Sequence, residues 1–313
     1  MRERGNGSVE VETDGPARLP QLSVVVATTD AERTIEACLS ALKIACTRMC
    51  AEILVVDSSS DRTLERVARA CPDAVTIPVR SGALVPELWA RGIVASRAEV
   101  VALTTGQCLV SPTWARSLVS AFTPGIGAAG GGFTLASDAG PADWAVFFLR
   151  YSAFVAERWR AGVVVNGEIA GDNAAYRRSD VVAIDGHSQA FWDVDVHRVL
   201  RRRGLSLVAV DRAVVAVSKG PAPLDVVRHR FAHGREYGAW RVRTRSAGRA
   251  RVSVAAPLVP VVLAWRAARR VVPLRSHRAR FFAALPWFLL FASAWAFGEA
   301  VGAWCPPAGT TRP

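Results

Sequence analysis

Apolar residues follow two rhythms along this chain. Short β-branched runs alternate with helical stretches through its N-terminal part. Leu22 to Ala27 (LSVVVA), Ile53 to Val56 (ILVV) and Val100 to Leu103 (VVAL) are short and apolar throughout, and read as buried strands. Val75 to Val79 reads as one more. Between them, Ala31 to Ala45, Thr63 to Ala70 and Glu87 to Ser96 have helical period, with Asp30 placed to cap the first. This alternation predicts a mostly parallel, Rossmann-like α/β sheet with right-handed crossovers. Ligands of such sheets bind outside the carboxyl ends of the strands. Thr28–Asp30, Asp57–Asp61 and Thr104–Cys108 stand there, so one crevice should collect all three.

Later segments are less regular. Ala128 to Gly140 is glycine-rich and predicts a mobile or tightly turned stretch. Trp144 to Trp159 is aromatic with helical period, and Asn166 to Arg178 is polar with a turn. Asp193 to Arg203 predicts a helix with Asp193 and Asp195 in its first turn, where the dipole favours them. Ser253 to Trp265 is an apolar run too short to cross a bilayer and basic at both ends, which suits a segment lying in the interface. Phe281 to Trp304 is long enough to span, despite Pro286 and Glu299. Arginines 275, 278 and 280 precede it and only Arg312 follows. The positive-inside rule then leaves the preceding domain in the cytoplasm and the C-terminus outside. A buried helical hairpin of a soluble protein is the alternative.

Composition sharpens this picture. The 313 residues are 51 % hydrophobic and 21 % charged, enough to bury a core. Residues 1–20 are polar, without apolar period, and read as a disordered leader rather than a signal peptide. The expected division is a leader to 20, an α/β domain over 21–240, a basic interfacial segment over 241–280, a transmembrane helix over 281–304 and a short tail. Net charge is +12, carried almost wholly by arginine, with Lys43 and Lys219 the only lysines. The arginines border apolar segments rather than form a tail, which points to a membrane or a diphosphate and away from nucleic acid. The six cysteines form no CxxC pair and read as small buried hydrophobes. His187 and His197 lack metal-ligand spacing and read as structural or surface groups.

The segments LSVVVATTDAERTIEACLSAL and EILVVDSSSDRT resemble the opening of a family-2 glycosyltransferase of the GT-A fold. The resemblance resumes at ARGIVASRAEVVALTTGQCLVSPTWARSL and runs through GDNAAYRRSDV and FWDVDVHRVLRRRG, covering roughly residues 22–210. The terminal apolar segment looks like the anchors of some bacterial members. The resemblance implies a nucleotide-sugar donor, a lipid-linked or membrane-proximal acceptor, and inversion at the anomeric carbon. It also implies a cell-membrane protein with a cytoplasmic catalytic domain. Thr28 and Asp57 would hold the base and ribose of the donor. For Asp57 a turn or helix cap is the other reading, and Asp61 reads as a cap. The family's Asp-x-Asp metal motif is replaced by Thr105–Gly106–Gln107, neutral groups poorly matched to Mg²⁺ or Mn²⁺. No metal ligand is assigned, and Thr105 and Gln107 remain donor-side positions. The basic segment with Arg228, His229, Arg230, His233 and Arg235 would neutralise the leaving diphosphate instead, with His233 and Arg235 the donor-binding pair. Membrane-surface attraction is its other reading. Asp193 matches the family's general base, Asp195 being second choice. Asp172, Asn173 and Trp192 stand where the family contacts its acceptor. The arginine–tryptophan motif of processive synthases is absent near Trp240, so a single sugar addition is expected. Two other classes compete: a catalytically weak GT-A-like nucleotide-binding membrane scaffold, and a nucleotidyltransferase. VATTDAERT lacks the glycine-rich phosphate loop that the latter needs.

Overall fold

The computed structural model describes residues 19–305 apart from 137, 161, 166, 185–189, 221 and 244–247. Most of the expected leader, His187 and the tail beyond Cys305 lie outside the described residues. In chain order the elements are β1 (Leu22–Thr28), α1 (Ile35–Cys46), β2 (Ala51–Asp57), α2 (Thr63–Ala70), β3 (Val75–Pro78), α3 (Val85–Ala95), β4 (Val100–Thr105) and β5 (Cys108–Val110). Then come α4 (Trp114–Ser120), β6 (Ile126–Leu135), α5 (Pro141–Tyr151), β7 (Ala174–Arg177), α6 (Arg178–Val182), α7 (Asp193–Arg202) and β8 (Ser206–Val217). The chain closes with α8 (Pro223–Arg243), α9 (Arg249–Ala255), α10 (Val259–Val271) and α11 (Arg275–Trp304).

The eight strands form one sheet in the order β3-β2-β1-β4-β7-β6-β8-β5. The first four are parallel, as their continuous apolar runs require. Beyond β4 the sheet is mixed, because β7 runs antiparallel to both its neighbours and β5 antiparallel to β8. β1 is buried along its whole length, and its side chains alternate between two cores. Leu22, Val24 and Val26 meet Ile35, Leu39 and Leu42 of α1, in a layer shared with α4 and α5. Val25 and Ala27 meet Leu88, Trp89 and Ile93 of α3, in a layer shared with α6 and α7. Helices therefore cover both faces, and the α/β, GT-A-like architecture expected from the sequence is the one found.

Four local expectations are corrected. The Ala128 to Gly140 stretch is largely strand β6, not a turn. Glycine is needed there for closeness: a Cβ on Gly131 would collide with the Ala213 carbonyl. Asp30 does not cap α1, which starts at Ile35; it has φ +49° and accepts the Ser60 N–H at 3.0 Å, tying the β1 and β2 loops. Cys50 and Cys305 are exposed rather than buried. The short Ser253 to Trp265 run is extended by its flanks into a helical stretch, Arg249–Val271. It and Arg275–Trp304 are both long and apolar enough to cross a membrane by length and composition.

α11 nevertheless stays with the domain. Its first half packs on α5, where the Phe281 and Phe148 rings stand 5.5 Å apart. Its second half lies against α8 through paired glycines. A Cβ on Gly234 or Gly238 of α8 would strike the carbonyl of Trp295 or Glu299. One on Gly298 or Gly302 of α11 would strike that of Phe231 or Arg235. Small residues four apart on both helices allow this backbone contact. Beside it Glu299, 3 % exposed, is ion-paired with Arg241. We expect Gly302→Ala to cost about 1–3 kcal/mol through overpacking, read as a lowered urea midpoint with unchanged slope.

Candidate active site

Strand register builds the crevice floor. Thr28 is the partner of Asp57 across β1 and β2, and Ala27 that of Thr105 across β1 and β4. All three expected strand ends therefore stand side by side. Thr28 Oγ1 donates to Asp57 Oδ1 at 2.6 Å, and Ser59 Oγ donates to the same oxygen at 2.6 Å. Two hydroxyls thus fix the carboxylate and orient it at the sheet edge. Asp61, as expected, serves the next helix, accepting the Thr63 N–H at 3.0 Å. Thr105 is buried, with its hydroxyl 3.2 Å from Cys108 Sγ, and Gln107 accepts the Ser218 N–H through its carbonyl.

A second group of side chains stands where the segment before β7 meets the start of α7. Asp172 is 4 % exposed and accepts from Tyr151 Oη at 2.5 Å and from Arg150 at 3.0 Å. Asp193 opens α7 and accepts the N–H groups of Gly171 at 3.1 Å and Val194 at 2.9 Å. Trp89 joins this group to the floor: its indole donates to the Thr104 carbonyl at 3.0 Å, and its ring lies against Gly171. Burial lifts the Asp193 carboxyl above the usual aspartate range, against the pull of His197 and the two N–H groups, and Asp172 adds to the rise. A half-buried carboxylate of raised basicity, held by backbone donors at a crevice, suits general-base work. His197 lies in the core, fully buried, between Tyr176 and Glu168.

Helix α8 lies near the second group. Arg230 and His233 feel the charge of Arg150, whereas Glu236 feels those of Glu87 and Arg80 near the start of α3. Trp240 stands 5.9 Å from Trp192, ring to ring. Gly234 and Gly238 of the same helix meet α11.

The expected site residues divide accordingly. Thr28, Asp57, Thr105 and Gln107 line the strand ends, and Asp172, Asp193 and Trp192 gather at the other side of the crevice. His233 is the exposed member of the group, and desolvation with the charges of Arg230 and Arg150 pushes its imidazole down to about 4. Arg235 does not join them: its Nε donates to the Cys305 carbonyl at the end of α11. Asn173 is fully buried and engaged by the frame. Its Oδ1 accepts from Trp114, and its Nδ2 donates to the carbonyls of Gly132 at 3.0 Å and Ala213 at 2.9 Å. Those bonds tie β6 to β8. Sequence reasoning missed Arg150 and Tyr151; the signal was a lone charge in the apolar run FFLRYSAF. It also missed Trp89.

A divalent cation does not fit these residues. The Thr105–Gly106–Gln107 turn offers no carboxylate, and Asp172 is already paired with Arg150 and Tyr151. Among the described residues no three His, Cys, Asp or Glu side chains gather as ligands.

No protein-family model matches this chain, and no curated protein matches it by sequence. Solved structures do. One is a mannosyltransferase from Pyrobaculum calidifontis, in complex with GDP-Man and Mn²⁺. It is 20 % identical, with a TM-score of 0.45 over 92 % of this chain and 74 % of that one. Another is glucosyl-3-phosphoglycerate synthase from Mycobacterium tuberculosis with Mn²⁺, UDP and glucosyl-3-phosphoglycerate. It is 16 % identical, with a TM-score of 0.44 over 66 % of this chain and 74 % of that one. These are likenesses of fold.

Asn173→Ala leaves two buried carbonyls and one indole N–H without partners. At about 1–3 kcal/mol for each orphaned group, we expect it to lose at least about 3 kcal/mol of stability by denaturant unfolding. Asn173→Asp should also destabilise, since a carboxylate cannot donate to those carbonyls.

Proposed function

We propose that this protein is a glycosyltransferase that moves one sugar from a nucleotide donor to a lipid-linked or membrane-proximal acceptor, with inversion. The observation that carries the reading is Asp193: a carboxylate of raised basicity, fixed by two backbone N–H groups, across a crevice from a fixed carboxylate at the strand ends. Thr28 and Asp57 present hydrogen-bonding groups to the base and ribose, with Thr105 and Gln107 beside the donor. Asp193 takes the proton of the acceptor hydroxyl as that oxygen attacks the anomeric carbon. The bond from that carbon to the diphosphate breaks on the opposite face. Arg150 holds Asp172 near the base, and Trp192 offers an aromatic face to the acceptor. The exposed apolar side chains of the C-terminal helices, bordered by arginine, support attachment to the cell membrane with the crevice on the cytoplasmic side.

Asp193→Asn should lower turnover by about 10²–10⁴-fold while a nucleotide sugar still binds in calorimetry. Full activity would remove Asp193 from the mechanism. The pH profile has a definite sign. A base must be ionised, so kcat/KM falls as pH drops through the Asp193 value. That acid limb should lie above the ordinary aspartate value of about 3.9. A limb at or below it would contradict the role.

A further inference from the structure

Among the described residues Arg230 has no ion pair. Arg150 is balanced by Asp172. Arg230 is not: its Nε is fully buried and has no hydrogen-bond partner. Burial, then the charge of Arg150, pushes this guanidinium down to about 10. Arg235 donates from its Nε to the Cys305 carbonyl at the end of α11. Six residues further along α8, about 9 Å by helical rise, Glu236 Oε2 is also buried and unpartnered. A fold holds such orphaned groups where a ligand completes them. The ligand must bring an anion to Arg230 and a donor, such as a hydroxyl, to Glu236. We propose that Arg230, with Arg150 beside it, forms a phosphate subsite on α8 that compensates the charge of a sugar diphosphate, and that Glu236 accepts from a hydroxyl of the same ligand. The identity of the ligand rests on the glycosyltransferase reading; the anion subsite does not.

Phosphate could arrive with the donor or on a lipid acceptor, and two probes separate these. Inorganic pyrophosphate and geranyl phosphate are titrated into the full-length protein in detergent with EDTA, by calorimetry. At least one should bind, and Arg230→Met should weaken it tenfold or more, with Arg230→Lys recovering part. Loss of pyrophosphate assigns the donor side, and loss of geranyl phosphate the acceptor side. The melting temperature of Arg230→Met should not fall, since an unpaired buried charge is removed. Equal binding to wild type and Arg230→Met, or no binding of either probe to wild type, overturns the subsite. Binding through Arg230 with no turnover of any nucleotide sugar keeps the subsite and removes the transferase reading.

A different observation bears on how the chain meets its membrane. α11 is buried on one side in every turn, from His277 through Phe281, Phe288 and Ala292 to Gly302. It packs on α5, α8 and α10, with α9 also against it, and α8 carries Arg228, His229, Arg230 and Glu236. A crossing helix would draw those charges into hydrocarbon, at a high cost. The outer side of α11 exposes Phe282, Leu289, Leu290, Phe297 and Trp304, close to one residue per two turns. Trp265 of α10 is exposed likewise, and Arg266, Arg269, Arg275 and Arg278 border the face. We infer that α10 and α11 lie along an anionic membrane surface rather than cross it. Cys305 ends α11 and is exposed, so it reports the topology. In a Cys50→Ser background, a membrane-impermeant maleimide should leave Cys305 unlabelled in intact cells and label it once the cells are opened. Labelling in intact cells overturns the inference. Phe282→Asp with Phe297→Asp should abolish co-sedimentation with phosphatidylglycerol vesicles, and unchanged sedimentation would equally overturn it.

Discussion

The backbone contact between α8 and α11 is the constraint on which the site depends. Four glycines let the two helices approach until main chain meets main chain. That closeness fixes the rotation of α8 about its axis. With Gly234 and Gly238 turned to α11, Glu236 stands on the far side of the helix, and Arg230, four residues before Gly234, lies on the flank of the contact face. Glu299 and Arg241 lock the same joint by charge. α11 is in turn held on α5, the helix that supplies Arg150 and Tyr151. The two sides of the anionic and cationic cluster are thus positioned by one continuous helix.

Within the crevice the balance of charge is asymmetric. The floor is acidic, with Asp57 satisfied by hydroxyls rather than by cations. On the far side, Asp172 is neutralised by Arg150, and Asp193 is left to carry its charge with only backbone donors and the pull of His197. A carboxylate in that position is a better base than one paired with arginine, because no cation holds its lone pairs. Helix α8 supplies the surplus of positive charge. A diphosphate beside Arg230 and Arg150 would meet cations from α8 and α5, which differs from a metal held by carboxylates.

Much of the floor was legible in the sequence. LSVVVA, ILVV and VVAL are unmistakable as buried strands, and the polar residues after them had to stand at the carboxyl edge. The positions of Thr28 and Asp57 follow from that, whereas Asp193, at a helix start, was singled out by the resemblance to family-2 glycosyltransferases. The glycine-rich stretch was misread because glycine ordinarily marks a turn, whereas in β6 it answers the approach of the Ala213 carbonyl, which no local pattern announces. Asp30 resembled a cap, but its partner, Ser60, is thirty residues away. Asn173 sits in a motif-like GDN, yet its amide serves carbonyls forty residues off. Arg150 stood out only as a lone charge among aromatics. The basic residues of α8 stood out in the sequence, but its packing did not, because its glycines matter only once α11 is beside it.

The seating of α11 also bears on how this chain can be divided. Phe281 and His277 cover the aromatic rings of α5, and Arg280 lies 4.7 Å over the Trp144 ring. A fragment ending before α11 would strip that cover from Trp144 and Phe148 and release α8 from the helix whose backbone it touches. α11 and the sheet domain are packed as one body, so the exposed apolar stripe of α11 is better altered by polar substitution than by removing the helix.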